Sequence, residues 1–162
     1  GSRPFLIFSA FVRSASIGMI WCKEKPATEI KTIGISNERF KIPPGADNHE
    51  VRAVRKLDKA LRIESFMPHM HVRGDWMKYE LLLPDGTRET LLHVPRYDFK
   101  WQYYYELARP RLVPAGAWLL VTGAYDNSTA KPGNPDPGAR VRAGLQSWDE
   151  MFIGFFTAAD EP

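Results

Sequence analysis

Apolar residues in this chain fall at alternate positions or in short unbroken runs, and no stretch keeps a 3.6-residue period over three turns. Alternation puts side chains on one face of a strand, and short β-branched or aromatic runs bounded by Gly or Pro read as strands as well. Strands are therefore expected at 5–12, 17–22, 30–35, 50–54 and 61–67. The last of these runs on into a histidine pair, with Pro68 at an edge or bulge. Further strands are expected at 76–83 and 88–94, joined by a Pro84-Asp85-Gly86-Thr87 hairpin turn, and at 99–107, 118–125 and 148–157. Pro43-Pro44-Gly45 and Pro114-Ala115-Gly116 read as turns. The 126–138 stretch is rich in Pro, Gly, Asp and Asn and reads as a long irregular loop, a kind of segment that tends to be functional or disordered. Many short strands punctuated in this way predict an all-β fold, an antiparallel jelly-roll-like β-sandwich.

The length of 162 residues suits one domain. Residues 1–16 are expected to be an N-terminal extension, or the remnant strand of a missing domain, and 17–162 the sandwich. The 5–12 run is too short to cross a bilayer and lacks the charged start and small-residue cleavage site of a signal peptide. A net charge of only +3, with basic residues scattered, argues against a nucleic-acid partner. The densest basic group, Arg52, Arg55, Lys56 and Lys59, reads as a solvated surface. The single cysteine, Cys22, excludes an intrachain disulfide and a Cys-based metal knuckle, and reads as a buried small hydrophobe. Asn127-Ser128-Thr129 matches a glycosylation sequon, a pattern that matches often by chance.

Candidate chemistry centres on Pro68-His69-Met70-His71. In an extended strand His69 and His71 share a face and Met70 turns the other way. Two neutral imidazoles are a good ligand pair for copper, zinc or iron, and they need a third ligand. Met151, in the run Trp148-Asp149-Glu150-Met151, offers a thioether, which is soft and favours Cu(I). Spacing alone does not choose it over the chain's other methionines, and a methionine in an apolar strand is ordinarily core filler. Asp149 and Glu150 can orient a ligand imidazole or simply face solvent. His93 reads as a satisfied structural histidine and His49 as an exposed turn residue. Tyr97, Trp101, Tyr103 and Tyr105 read as core and rim, with a carbohydrate-binding platform as the alternative. Asp126, Asn127 and Asp136 read as loop-shaping, with Ca²⁺ binding as the alternative.

The segments Met67-Pro68-His69-Met70-His71-Val72-Arg73-Gly74 and Trp148-Asp149-Glu150-Met151 resemble the two signature stretches of the C-terminal domain of the copper type II, ascorbate-dependent monooxygenases. Peptidylglycine α-hydroxylating monooxygenase and dopamine β-monooxygenase belong to this family. Bacterial members are the more similar, through the 94–102 run (Val-Pro-Arg-Tyr-Asp-Phe-Lys-Trp-Gln) and the loop from Asp126-Asn127-Ser128 to Asn134-Pro135-Asp136-Pro137. The likeness spans about residues 17–156 in four separated segments.

The resemblance implies a jelly-roll domain that binds one catalytic copper through His69, His71 and Met151, the residues it also marks as catalytic. It implies O₂ as co-substrate, ascorbate as reductant, C–H hydroxylation as the reaction, and a periplasmic or extracellular location. A second copper, on a separate N-terminal domain, supplies an electron in that family. This chain has only His49 and His93 besides the pair, so an electron-supplying copper or cytochrome domain is expected as partner. Where the peptide hydroxylases hold substrate with Arg, Asn and Tyr, this chain has Met67, Ile153 and Phe155. An apolar or aromatic small substrate is expected in place of a peptide carboxylate. A non-catalytic copper-binding module, or an interaction domain with a vestigial site, remains as the alternative, and an exposed apolar patch at 5–10 would favour a homo-oligomer.

Overall fold

The computed structural model describes Gly18, Met19, Trp21 and residues 23–161. The strand expected at 5–12, the 1–16 extension, Cys22 and much of the 17–22 run lie outside them. Among the described residues there is no helix. The strands in order are β1 (Lys31–Ser36), β2 (Lys41–Ile42), β3 (His49–Lys56), β4 (Leu61–His69), β5 (Gly74–Leu82), β6 (Arg88–Val94), β7 (Tyr105–Val113), β8 (Trp118–Tyr125), β9 (Val141–Arg142) and β10 (Ile153–Asp160). They form two four-stranded sheets, β1-β10-β4-β7 and β3-β8-β5-β6, with a small β2-β9 pair. Every strand pairing is antiparallel. The chain is an all-β, jelly-roll-like sandwich.

The strands follow the apolar pattern. Leu61, Ile63, Phe66 and Met70 from β4 and its extension pack inward against Tyr79 and Leu81 of β5 and Leu119 and Val121 of β8. The Phe66 and Tyr79 rings meet across the two sheets at 4.7 Å between centroids. The sheets come close together at Gly154, where an added Cβ would lie 2.6 Å from Val121 Cγ2 and 3.0 Å from the Tyr79 ring. Both neighbours are themselves fully buried, so neither has room to retreat. Gly154→Ala is therefore expected to cost about 1–3 kcal/mol through overpacking. A urea melt should show a lower midpoint with an unchanged slope.

Two expected strands begin later than the pattern suggests. The aromatic alternation from Phe99 is not a strand until Tyr105. Asp98 folds a turn there, its carboxylate taking the Lys100 N–H (2.8 Å) and its carbonyl the Trp101 N–H (2.9 Å). The last strand begins at Ile153 and not at Trp148, because Asp149 closes a turn onto Gln146 O (3.0 Å). Glu150 then forms an isolated parallel bridge with Ala143. Pro68 lies inside β4 as expected. The β4–β7 pairing ends at Phe66↔Tyr105, so β4 has one open side at the proline and a missing N–H is tolerated there. The Pro84–Thr87 hairpin turn is present, with Gly86 at φ 88° and the Thr87 N–H on the Asp85 carboxylate (2.8 Å).

Candidate metal centre

β4 ends at His69, and the chain turns after His71, where the Gly74 N–H reaches His71 O (3.1 Å). The two imidazoles lie side by side, centroids 5.4 Å apart and nearly perpendicular at 89°. Met70 between them is fully buried on the opposite side. Tyr97 fixes this turn: its hydroxyl donates to Met70 O (2.6 Å) and receives the Met70 N–H (3.1 Å). Gly74 is required beside it, since a Cβ would fall 2.7 Å from the Tyr97 ring and 2.8 Å from Met70 Cβ.

Gln102 decides the state of His69. The amide nitrogen of Gln102 donates to Phe99 O (3.0 Å), so its oxygen faces His69 Nδ1 at 2.6 Å. An amide oxygen can only accept, so in the neutral ring Nδ1 carries the proton and Nε2 keeps its lone pair. His71 is buried and stands edge-on to Phe99 at 5.9 Å. Its Nδ1 is the only buried side-chain nitrogen or oxygen without a hydrogen-bond partner among the described residues. Burial, then the neighbouring His69, pulls the His71 pKa below 6.5, with the Asp149 and Gln146 backbone offsetting part of the shift. A buried imidazole whose Nδ1 makes no well-formed hydrogen bond, although the Asp149 and Gln146 backbone lies close to the ring, stands beside a second imidazole, and such a pair fits the needs of a metal ion.

Among the described residues no group of three or more His, Cys, Asp or Glu side chains is placed to hold a metal. A third protein ligand would have to be of another type. Met151 is half-buried and lies two positions before Ile153, which is the Cα partner of His69 across β10–β4. Tyr125 OH donates to Met151 O (2.7 Å). Met151, Phe152, Ile153 and Leu145 line a hollow of about 490 Å³, with Asn37 and Glu38 at its polar side. On the His69 face, Phe155 pairs with Met67, and the Phe155 ring lies 6.2 Å from the His69 ring. The wall beside His69 is thus apolar.

Glu150 does not face solvent. It is fully buried and accepts the His71 N–H at Oε2 (2.8 Å) and the Arg73 N–H at Oε1 (2.7 Å). Burial pushes its carboxyl up to about 7, against the pull of those two amides and the nearby Arg73 charge. Arg73 is itself buried, donating to Asn127 Oδ1 (2.8 Å) and Trp148 O (2.9 Å).

The remaining candidates lie elsewhere or play other parts. His93, read as a structural histidine, is exposed on β6, a sheet edge, where its ring stands edge-on to Trp76 at 6.1 Å. His49 is half-buried at the start of β3 and not in a turn. Tyr97 is buried, whereas Trp101 and Tyr103 are exposed and stacked on each other at 5.4 Å. The Asn127 sequon is no acceptor in this fold: the side chain is fully buried, and its amide nitrogen donates to Pro43 O and Ala139 O. Asp126 and Asp136 shape the loop by accepting the Ser128 and Gly138 N–H groups. Sequence reasoning gave no role to Gln102 or Arg73 and read Tyr97 only as core or rim, although all three lie in the segments that carry the family resemblance.

No family model matches the chain, and no curated protein matches it. Among solved structures, that of infectious bursal disease virus Gx strain is similar at 13% identity and a TM-score of 0.32, covering 91% of this chain and 45% of that one. The VP2 subviral particle of the same virus is similar at 12% identity and a TM-score of 0.33, covering 91% and 46%. This chain spans less than half the length of either, and likenesses of this size carry no functional argument.

Proposed function

We propose that the chain is a mononuclear copper-binding domain of an ascorbate-dependent monooxygenase-like oxidoreductase, with copper held by His69, His71 and Met151. The observation that carries the reading is the imidazole pair. Gln102 holds His69 Nδ1, which leaves Nε2 with its lone pair in the neutral ring, and 5.4 Å away, centroid to centroid, stands His71, whose buried Nδ1 makes no well-formed hydrogen bond. Copper bound there would supply one-electron chemistry toward O₂, with ascorbate as outside reductant. The chain's own contribution is to hold the rings. Gln102 anchors His69, and Glu150 anchors the main chain of His71. Met67, Ile153 and Phe155 present an apolar wall that favours an apolar or aromatic small substrate and disfavours a carboxylate. His49 and His93 lie on β3 and β6 of the other sheet, so a copper or cytochrome partner would supply the second electron. Such chemistry suits a periplasmic or extracellular protein. The separation of those two histidines also favours a second reading, a module that holds or passes copper without turnover.

Titration of the metal-free chain with Cu(I) and Cu(II), followed by O₂ uptake with ascorbate, tests the proposal. One copper per chain, tighter as Cu(I), is expected. Met151→Ala should weaken Cu(I) binding by about 10–100-fold, an effect of the size seen for tuning groups around metals, and weaken Cu(II) less. Copper bound without ascorbate-driven O₂ uptake, in the presence of an electron donor, would leave the copper-holding module. No tight copper would leave a sandwich with a vestigial site.

A further inference from the structure

We infer that Glu150 is the positioning residue that sets the spacing between the His71 and Met151 segments; the inference rests on the copper reading above. The β10–β4 ladder stops at Ile153↔His69, so beyond that point no strand pairing joins the His71 segment directly to the Met151 segment. Both candidate segments lie beyond it. The Glu150 carboxylate takes over where the ladder ends. Its two oxygens grip the main chain at His71 (2.8 Å) and Arg73 (2.7 Å), bracketing the turn that carries the second imidazole.

Glu150 can hold that turn because it is itself held. Its N–H donates to Arg142 O (3.1 Å), and its carbonyl takes the Gly144 N–H (3.0 Å). The next carbonyl, Met151 O, receives the Tyr125 hydroxyl (2.7 Å). Tyr125 and Glu150 are both fully buried, so water does not compete for these bonds. The His71 main chain is therefore tied to the Met151 main chain through one side chain and one peptide unit. Loosening that tie moves the thioether relative to the imidazoles. A thioether matters more to Cu(I) than to Cu(II), so the loss should be selective for the reduced metal.

The test uses Glu150→Gln, which keeps the volume but replaces one accepting oxygen by a donor that faces an N–H. Amide exchange in the metal-free chain should quicken at His71 or Arg73 while β5 and β8 stay protected. Cu(I) affinity should fall about 10–100-fold, and Cu(II) affinity less. Adding Met151→Ala to Glu150→Gln should cost little more than either change alone, because both act on one ligand. If Glu150→Gln does not fold, Tyr125→Phe loosens the same segment from its other side and should give a smaller loss of the same selectivity. Unchanged Cu(I) affinity in the loosened variant, or additive effects of Glu150→Gln and Met151→Ala, would overturn the inference and leave the copper site standing. Failure of the wild-type chain to bind copper would instead remove the copper reading, and the positioning role with it.

Discussion

His69→Ala combined with His71→Ala is expected to lower copper affinity by more than about a thousandfold, since removing a single supporting group already costs 10–100-fold and here both imidazoles go. The metal-free fold should change little. His69 is only half-buried at a strand end, and His71 carries a buried nitrogen with no partner, so its removal relieves one unsatisfied group while opening a small void. The two effects separate in a thermal melt. Copper at a hundredfold excess over its dissociation constant should stabilise the wild type by about 2.7 kcal/mol, a rise of about 5–10 °C for a chain of this size. The double variant should melt near the metal-free wild type and show no rise on adding copper. A rise equal to that of the wild type would place the metal elsewhere and end the His/His/Met reading.

Arg73→Met should produce the largest loss of stability, about 3–5 kcal/mol, the usual cost of breaking a buried charged network from one side. Arg73 is 1% exposed. Without it Trp148 O loses its donor, and Asn127 Oδ1 keeps only the Asn134 amide (3.1 Å). The buried Glu150 carboxyl also loses the Arg73 charge that favours its ionised form. Arg73→Lys should not restore the wild-type melt, because one ammonium cannot reproduce the planar fork that reaches two fixed oxygens. Urea unfolding of the three proteins gives the comparison. Equal midpoints for wild type and Arg73→Met would mean that the 126–138 loop and the Trp148 turn are held by something other than this arginine.

The sandwich was legible wherever alternation met a partner strand. Trp118–Tyr125 and Arg88–Val94 have the limits that the pattern predicts, and the Pro84–Thr87 turn sits between its strands. Residues 99–104 alternate just as well, yet they are not a strand. Alternation is necessary for a half-buried strand but does not create a neighbour to pair with, and β7 finds β4 only from Tyr105. Glu150 was open between two readings for a related reason. A carboxylate beside an apolar run faces water unless donors are waiting, and the waiting amides belong to His71 and Arg73, more than seventy positions earlier. The Asn127 sequon matched in sequence and failed in structure because burial of its side chain depends on Pro43 and Ala139.

The sequence by itself determined an all-β chain and a His-x-His pair whose rings must lie close, since residues two apart on an extended backbone share a face. Only the tertiary structure decided what those rings are able to do. The free nitrogen of His69 depends on Gln102, 33 positions away, and the main chain of His71 on Glu150, 79 positions away. Strand periodicity is a local property of the backbone. A tautomer and a buried carboxylate are set by whichever donors and acceptors folding brings alongside them.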